Sequence, residues 1–477
     1  MRRTTYRLYL PRWLFLAVAI SLLPGGLGLV GMAAGASNPP YPRNIIILLA
    51  AGVAAPQFEL AESTSAHFRH RPTTITGTFL KEGVVGLMTT DALEAIVTDS
   101  AAAGSAMSTG VKTTNGTIAM TPDGRIVRTA MEAAKAQGKH IGLVTTAAVY
   151  DATPAAFSVH ARSRQESQVL VDQYLALEPD VLLGGGRDFF LPAGPSGGKR
   201  NDGKDMLTAF RAKGYQVVRN AQELRTATGS KLLGLFADRD MRHEIDRDSA
   251  REPSLADMAQ AALRVLAHES PHGFVLLLES ENTDTAGHRN DMAALIGDLW
   301  IFDRTVQLAR EFQRQTFAET LLVVTGDHET GGLTLAKTSH DLSRTLGRDS
   351  LRASSAYWEM LDRIGRSIEW AVATLGKPPA AEVLQKASAE RFPGLHLQAD
   401  RRAAFLKQQL MAQQFNVPHP STLVPGAPSQ LEFSWTTAGH TPKPVTVGAL
   451  GPRAELFRGI LDNTDFGKIL HRLIEGQ

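Results

Sequence analysis

The sequence contains no cysteine among its 477 residues. Disulfide bonds are therefore excluded, and stability must come from the burial of apolar side chains, aided by any bound metal. No strong excess of charge is present either, since 50 Lys and Arg stand against 48 Asp and Glu. This balance gives no reason to expect a nucleic-acid partner. After residue 36, no stretch is apolar enough to span a bilayer.

The first 36 residues differ from the rest of the chain. A basic segment, MRRTTYRLYLPR, precedes the apolar run WLFLAVAISLLPGGLGLVGM and the small residues Ala34-Gly35-Ala36. This order is typical of a cleaved secretory signal, although the length also allows an uncleaved membrane anchor. Pro24-Gly25-Gly26 inside the run favours the signal. We therefore expect a periplasmic or secreted protein without stable membrane association, with a net charge near −2 once four arginines are removed.

Short apolar runs rich in Val, Ile and Leu recur along the remaining chain. They lie at Ile45–Leu49, Val84–Met88, Ile141–Thr145, Val181–Leu183, Phe274–Leu278 and Leu321–Thr325. Such runs predict strands buried on both faces of a mainly parallel sheet. Helical patterns separate them at Ile126–Ala136, Leu255–Ala267 and Met292–Gln315. The alternation predicts a doubly wound α/β fold, with a central sheet flanked by helices and ligands at the carboxyl ends of its strands.

The region from about 338 to 430 has a different texture. It is polar and helical, and it ends in the proline-rich segment NVPHPSTLVPGAP. We interpret it as an insertion over the edge of the sheet. The predicted organisation is a signal peptide at 1–36 and one α/β domain at 37–477, which contains this insertion.

Ser100 stands in the segment VTDSAAAGSAMSTG, after a predicted strand and before a run that could open a helix. A serine in that position can direct its hydroxyl, together with the free N–H groups of the helix, at an anion. The alternative is a serine that only caps a tightly packed helix. Because no G-x-S-x-G elbow and no obvious base accompany Ser100, ordinary acyl-transfer chemistry is not supported.

Two strand ends each offer a carboxylate and an imidazole. In ESENTDTAGH, Asp284 and His288 are four residues apart, so that a helical turn would put both on one face, and Glu279 precedes them at the mouth of the strand. In TLLVVTGDHETGG, Asp327 and His328 stand at the tip of the next strand. Each segment alone could be a solvated loop or a helix cap, and Glu281 in particular fits a solvated loop. Together they favour a two-metal centre for phosphoryl transfer, with ions about 4 Å apart.

Three further residues fit the same chemistry. Thr153 in VYDATPAAF is an oxygen donor, and the guanidinium of Arg164 can bind two phosphate oxygens. His440 in WTTAGHTPKP is another imidazole. Structural roles remain open for all of them: Thr153 could shape a turn before Pro154, Arg164 could pair with an acid, and His440 could bridge loops.

Taken together, these segments resemble the alkaline phosphatases, which are secreted zinc and magnesium phosphomonoesterases. The similarity extends from Asn44 to the C-terminal LFRGILDNTDFGKIL, and five motifs occur in the order that the family has. The resemblance implies hydrolysis of small phosphate monoesters through a phosphoserine intermediate, a sandwich fold with a helical crown-like insertion over the site, and a homodimer.

The resemblance also implies roles for individual residues. Ser100 matches the nucleophile, and Asp99 orients Arg164, the residue that binds phosphate. The metal ligands that it implies fall into three groups: Asp284, His288 and His440 for a zinc ion that activates water, Asp327 and His328 for the second zinc ion, and Thr153 and Glu279 for magnesium. Asp151 matches a residue that lies just outside the metal ligands.

The segment NIIILLAAGVAA departs from the family pattern. It aligns with the first strand of the family and the Gly-Asp-Gly turn that follows, and the aspartate that bridges the second zinc and the magnesium falls on Ala51. An alanine cannot coordinate a cation, so we expect both of these sites to be weakened, by roughly 10- to 100-fold or more. Glu59 and Glu62 lie about two to three helical turns further along the chain if that segment is a helix, so either side chain could replace the carboxylate only by extending back over that distance.

Two other functions are compatible with parts of this pattern. A catalytically silent phosphate-binding homologue would explain Ala51, and a hydrolase of diesters or sulfate esters would share much of the metal chemistry. The retention of Ser100, Arg164 and seven ligands favours an active enzyme. The combination of Arg164, a serine nucleophile and a crown-like insertion favours monoesters.

Overall fold

A computed structural model describes residues 41–335, 361–375, 380–393, 398–414 and 433–476. These residues belong to one compact unit. The predicted signal peptide at 1–36 lies outside the described residues. None of the described helices combines the length and the apolar character needed to cross a bilayer.

A ten-stranded sheet forms the centre of the unit, in the order β14-β2-β13-β8-β1-β7-β3-β4-β6-β5. β13 runs antiparallel to both of its neighbours, and the other pairings in this sheet are parallel. Two small antiparallel pairs, β9 with β12 and β10 with β11, lie beside it. The strands are β1 Asn44–Ala50, β2 Val84–Thr89, β3 His140–Ala148, β4 Val181–Gly185, β5 Gln216–Val218, β6 Leu232–Leu235, β7 Phe274–Ser280, β8 Thr320–Thr325, β9 Glu329–Thr330, β10 Thr334–Leu335, β11 Phe433–Ser434, β12 His440–Thr441, β13 Val445–Leu450 and β14 Gly459–Asp462.

Helices cover both faces of the sheet. The described α-helices are α1 Ala55–Arg69, α2 Leu80–Glu82, α3 Ser100–Thr109, α4 Ala130–Ala136, α5 Ala152–Ala156, α6 Ser167–Leu177, α7 Met206–Ala212, α8 Ala221–Thr226, α9 Leu255–Ala267, α10 Asn282–His288, α11 Met292–Gln315, α12 Ile368–Thr374, α13 Ala381–Arg391, α14 Ala399–Gln414 and α15 Asn463–Glu475. A π-helical turn lies at Ile75–Phe79, and 3₁₀ turns lie at Arg187–Phe190, Glu244–Asp246 and Ala454–Phe457.

The side chains of β1 alternate between two apolar layers. Ile46 and Leu48 pack with α9 and α11, whereas Ile45 and Ile47 pack with α3, α4 and α15. Every residue of β1 is buried, because helices lie on both sides of the sheet. The predicted α/β fold is therefore confirmed, and the carboxyl end of β1 opens between these two helical layers.

The six predicted strands are all present, and the helices predicted at Leu255–Ala267 and Met292–Gln315 have the expected bounds. Two details differ. The helix predicted from Ile126 begins only at Ala130, because Thr129 caps it by accepting from the Glu132 N–H. β2 is not buried on both faces: Val85 and Leu87 are 43% and 46% exposed, since this strand lies next to the edge of the sheet.

The predicted insertion is described in part. Its residues 338–360, 376–379, 394–397 and 415–430 lie outside the described residues. Of the described helices, α12 and α13 contact Asp291 at the start of α11, and α14 packs on α13. Arg391 in α13 forms a buried ion pair of 3.4 Å with Asp291, the residue that caps α11, and Asp291 also accepts a 2.5 Å hydrogen bond from the Ile368 N–H.

Candidate metal centre

Two parallel strands next to β1 deliver the acidic and imidazole side chains. β7 ends at Ser280 and leads into α10, and β8 ends at Thr325 just before Asp327 and His328. Since β1 pairs with both β7 and β8, their carboxyl ends lie on either side of the segment that follows Ala50. Side chains from distant parts of the sequence therefore meet at one edge of the sheet.

Asp284, His288 and His440 come together as one group. Asp284 Oδ2 lies 3.2 Å from His288 Nε2 across one turn of α10, and its Oδ1 lies 3.7 Å from His440 Nε2. The two imidazole Nε2 atoms are 3.1 Å apart. The spacing of four residues between Asp284 and His288 thus places both on one helical face, as the sequence predicted.

Backbone carbonyls fix the orientation of two imidazoles in this group. His288 Nδ1 contacts the carbonyl oxygen of Ala438 at 2.7 Å, and His440 Nδ1 contacts that of Thr98 at 2.8 Å. A carbonyl can only accept, so Nδ1 carries the proton and donates it in each ring, which leaves Nε2 directed at the group. This arrangement of outer hydrogen bonds is the one that metal-binding histidines use.

The charges of the group act strongly on one another. Burial lowers the pKa of His288, but the Asp284 carboxylate outweighs it and raises this pKa to about 9. Burial and the neighbouring His328 lower the pKa of His440 to about 4. Burial opposes ionisation of Asp284, yet the surrounding imidazoles hold its pKa well below the usual range. The group thus combines one carboxylate with two nitrogen donors at the distances expected around a shared cation.

His328 connects this group to Ser100. Its Nε2 lies 3.0 Å from Ser100 Oγ and 3.2 Å from Asp327 Oδ2. Asp327 Oδ1 accepts hydrogen bonds from the N–H groups of Gly52 and His328, whereas its Oδ2 has no hydrogen-bond partner of good geometry in the described part of the chain. Asp327 Oδ2, His328 Nε2 and Ser100 Oγ therefore lie close together in a buried position. A carboxylate, an imidazole and a hydroxyl form a set of ligands that suits zinc.

His440 reaches the centre through a very short strand pairing. His440 in β12 pairs with Thr330 in β9, two residues beyond His328. The imidazole rings of His440 and His328 stack, with centroids 3.7 Å apart and planes inclined by 19°. Potential ligand atoms of Asp284, His328 and His440 lie within 4.8 Å of one another. The resemblance assigns these three residues to two different zinc ions, and the fold brings them into one compact group.

Glu279 and Thr153 are buried as well, with exposures of 0% and 1%. Thr145 Oγ1 donates a hydrogen bond of 2.5 Å to Glu279 Oε2. Thr153 Oγ1 and Glu279 Oε1 have no hydrogen-bond partner of good geometry among the described residues. Burial, followed by the charges of Asp151 and Asp327, raises the pKa of Glu279 to about 8. Buried oxygens without partners are costly, and a hard cation would satisfy them.

Arg164 lies between two carboxylates. Its Nη1 donates to Asp99 Oδ2 at 3.3 Å, and its Nη2 donates to Asp151 Oδ1 at 3.1 Å. The alternative that Arg164 pairs with an acid is therefore correct, but it does not exclude phosphate binding. Its side chain keeps 25% exposure, and a guanidinium has five N–H donors.

Ser100 is the first residue of α3, and Asp99 is the capping residue that accepts from the Ala102 N–H at 2.9 Å. The alternative in which Ser100 itself caps the helix is therefore wrong. The strand expected directly before Ser100 is absent as well, since β2 ends at Thr89 and residues 90–98 form turns and bridges. The Ser100 hydroxyl is thus free to face His328 and the N-terminal end of α3.

Ala51 directly follows β1 and is 1% exposed. Gly52 after it has a φ of 72°, and a Cβ at Gly52 would lie 2.6 Å from Asp284 Oδ1. Only glycine fits this close approach, so the turn has the shape that ligands on both sides require. The methyl group of Ala51 contributes no donor.

Neither glutamate considered as a replacement contacts the centre. Glu62 Oε2 accepts hydrogen bonds from the hydroxyls of Thr73 and Thr76 and from the Thr73 N–H. Glu59 is exposed on α1 and bonds only weakly to Ser63, at 3.5 Å. Both carboxylates point to partners elsewhere.

Sequence analysis did not identify two side chains that lie beside the candidate ligands, those of Thr330 and Glu281. Thr330 Oγ1 donates a short hydrogen bond to Asp284 Oδ1. No local sequence motif predicts this contact. Glu281, for which a solvated loop is the plausible alternative from the sequence, lies at the start of α10, and its Oε2 is shielded from solvent without a hydrogen-bond partner among the described residues. Glu281 lies beside Ala51 because of the register of β1 with β7, which the sequence alone does not specify.

A doubly wound sheet that gathers imidazoles, carboxylates and a helix-terminal serine at its carboxyl edge is typical of a metal-dependent hydrolase of phosphate esters. The family model described as alkaline phosphatase matches residues 42–475, and the chain belongs to this family. It is thus a phosphoric monoester hydrolase of a family that depends on zinc and magnesium.

Individual relatives agree with this assignment. Alkaline phosphatase 4 of Bacillus subtilis is 30% identical over 446 residues, which covers 91% of this chain and 89% of that protein. Alkaline phosphatase 3 of the same organism is 30% identical over 457 residues, with 92% and 90% covered. The crystal structure of Thermus thermophilus alkaline phosphatase superposes with a TM-score of 0.79 at 33% identity and covers 95% of each chain.

Proposed function

We propose that this protein hydrolyses phosphate monoesters through a phosphoserine at Ser100, at a centre for two zinc ions and one magnesium ion. The observation that carries this proposal is the 3.0 Å contact between Ser100 Oγ and His328 Nε2. It supports a reactive hydroxyl that directly adjoins the cluster of potential ligands, at the N-terminal end of α3.

The proposed ligands divide as the resemblance implies: Asp284, His288 and His440 for one zinc ion, Asp327, His328 and Ser100 for the other, and Thr153 and Glu279 for magnesium. The distances of 3.1 to 3.7 Å among Asp284, His288 and His440 support a shared zinc ion. The buried oxygen atoms without hydrogen-bond partners support the second zinc site and the magnesium site. When bound, the cations neutralise charge on the transferring phosphoryl group.

The residues of the chain bind the substrate and carry the covalent step. Arg164 binds two non-bridging phosphate oxygens with its fork of N–H donors, which Asp99 and Asp151 hold in place. Ser100 Oγ attacks phosphorus, so that a new O–P bond forms while the P–O bond to the alcohol breaks. The alcohol leaves with a proton. Water then attacks the phosphoserine, releases inorganic phosphate and restores the hydroxyl.

Ala51 distinguishes this centre from the family pattern. The second zinc site lacks the bridging carboxylate and keeps only Asp327, His328 and Ser100, and the magnesium site keeps Thr153, Glu279 and water. We propose that cation affinity or activity is lower by roughly 10- to 100-fold than it would be with an aspartate at this position.

We further propose that residues 1–36 direct export and are removed, so that the enzyme acts in the periplasm or outside the cell. The basic segment, the apolar run and the small residues before Ser37 support this. Residues 37–477 would form the mature domain, which the resemblance implies to be a homodimer.

The test uses protein expressed from the full-length gene and purified with zinc and magnesium. Hydrolysis of p-nitrophenyl phosphate should be abolished by Ser100→Ala, and acid quenching should trap a phosphopeptide that contains Ser100. Bis-p-nitrophenyl phosphate and p-nitrophenyl sulfate, measured in parallel, should turn over more slowly.

If neither the native protein nor Ala51→Asp hydrolyses the monoester, the proposed activity is wrong and the silent phosphate-binding homologue is favoured. If Ser100→Ala retains turnover, or if no phosphoserine is trapped in an active enzyme, the two-step route is wrong.

A further inference from the structure

Three buried oxygen atoms near the carboxyl end of β7 have no hydrogen-bond partner of good geometry among the described residues. They are Thr153 Oγ1, Glu279 Oε1 and Glu281 Oε2. Thr153 and Glu279 are almost fully buried. Buried polar atoms in folded proteins are nearly always satisfied, so such a set indicates a ligand that the chain itself does not supply.

Glu281 is held in place by its own helix. Its Oε1 accepts a hydrogen bond of 2.9 Å from Thr285 Oγ1, one turn further along α10. The other carboxylate oxygen is shielded from solvent and has no partner within the described part of the chain. One oxygen thus anchors the side chain, and the second is left available to a cation.

The surroundings of Glu281 are acidic. The carboxylates of Asp240, Asp284, Asp151 and Glu279 all lie near enough to act on it. Several negative groups close together in a region of low dielectric repel one another, and a divalent cation among them relieves this repulsion. Asp284 and Glu279 are themselves proposed ligands, so Glu281 lies at the proposed centre and not on a remote surface.

The position of Glu281 corresponds to that of Ala51 on the neighbouring strand. Ala50 pairs with Ser280 in the parallel register of β1 and β7, so Ala51 and Glu281 are the next residues of the two strands. The Ala51 N–H donates to the carbonyl of Ser280 at 3.1 Å, and the Ala51 carbonyl accepts from Thr283 Oγ1 at 2.7 Å. Adjacent parallel strands lie about 4.8 Å apart, a distance that the longer glutamate side chain can bridge.

We infer that Glu281 supplies the carboxylate that Ala51 lacks, as a ligand to the same divalent cation that Thr153 and Glu279 hold. This inference rests on the proposed function for the identity of that site. Two carboxylates, a hydroxyl and water are a ligand set that magnesium accepts. The second zinc site gains nothing from Glu281, so the two cations no longer share a ligand and bind independently.

The test measures magnesium binding to the zinc-loaded protein by isothermal titration calorimetry, and it needs no turnover. Glu281→Gln, which can still accept from Thr285, should weaken magnesium binding by roughly 10- to 100-fold. Glu59→Gln removes an equal charge from the exposed side of α1 and should change the dissociation constant by less than two-fold. Bound zinc should stay the same in both variants.

A second variant distinguishes a lost ligand from a damaged fold. In the double variant Ala51→Asp/Glu281→Gln, the carboxylate returns from the neighbouring strand, and magnesium binding should recover. Zinc and magnesium should then bind cooperatively, which they should not do in the native protein.

Magnesium binding within two-fold of native in Glu281→Gln would overturn the inference, and so would a native protein that binds no magnesium. Loss of binding in Glu281→Gln without recovery in the double variant would also overturn it. Failure of the proposed function appears differently, as absence of p-nitrophenyl phosphate hydrolysis while the magnesium results hold.

Discussion

The guanidinium of Arg164 donates to both carboxylate oxygens of Asp151, at 3.1 and 3.4 Å. This pairing fixes the plane of the Arg164 guanidinium group near Ser100. The remaining N–H donors of the guanidinium are therefore oriented before the substrate binds. A preoriented fork loses little entropy when it binds an anion.

Arg164→Lys should therefore lower kcat/KM for p-nitrophenyl phosphate. A lysine keeps the charge but not the fork, and the loss of a charge-assisted hydrogen bond costs about 1.5–3 kcal/mol, or roughly 10- to 150-fold. The matched control is Arg162→Lys on the exposed surface two residues earlier, which should stay within two-fold. Equal kinetics for the two variants would show that Arg164 does not bind phosphate.

Ala51→Asp should increase zinc retention. The added carboxylate gives the second zinc site a donor that it lacks, so after dialysis against zinc-free buffer the variant should keep more metal, with an affinity higher by roughly 10-fold or more. Zinc content measured by mass spectrometry tests this. Ala55→Asp adds the same charge at an exposed position and should retain no more zinc than the native protein; a similar gain there would point to general electrostatics.

Removal of metal should lower the thermal unfolding temperature. Zinc at 100 times its dissociation constant adds about 2.7 kcal/mol to the folded state when it does not bind the unfolded chain. Differential scanning calorimetry with and without chelator should detect the change. Asp284→Asn should abolish most of the response, whereas Asp238→Asn, an exposed partner of Arg187, should preserve it. A protein whose unfolding is indifferent to zinc would contradict the proposed centre.

The buried ion pairs of His243 predict a pH dependence of the stability of the protein. Burial alone lowers the pKa of His243, but Asp298 at 2.6 Å and Glu369 at 3.2 Å outweigh it and raise this pKa well above 6.5. A histidine whose pKa is raised by folding stabilises the folded state fully at pH values below its unfolded pKa of 6.5. This stabilisation is lost as the pH rises towards the pKa of the folded state.

The free energy of unfolding should therefore contain a His243 contribution that decreases as pH rises above 6.5. Urea unfolding at a series of pH values should show a flatter profile for His243→Gln than for the native protein. His268→Gln, at an exposed position, should leave the profile unchanged. A native profile that His243→Gln does not alter would rule out this histidine as the source.

Strong local signals allowed much of the fold to be predicted. Continuous apolar runs identified six strands, and the helical patterns at Leu255–Ala267 and Met292–Gln315 gave the bounds of α9 and α11. β13 was missed even though it lies inside the sheet, because nothing local distinguishes an antiparallel strand inserted between β2 and β8. β5 and β6 are only three and four residues long and carry little periodic signal.

The candidate site could be predicted in part for a similar reason. The spacing of Asp284 and His288 on one helical turn is a local property, and it can be read from sequence. The proximity of His440 depends on a pairing of two residues between β9 and β12, and the shielding of Glu281 depends on the register of two strands. Both are consequences of tertiary structure.

The close packing of α15 on α3 has a consequence for how the protein is made. A Cβ at Gly467 in α15 would lie 2.3 Å from the Gly110 nitrogen at the end of α3, and His471 Nε2 contacts the Ser108 carbonyl at 3.0 Å. The helix that begins with Ser100 therefore gains its full support only after α15 has been synthesised. His440 also emerges long after Ser100. A nascent chain can build the first strands early, but it cannot assemble the reactive centre before His440 and α15 have left the ribosome.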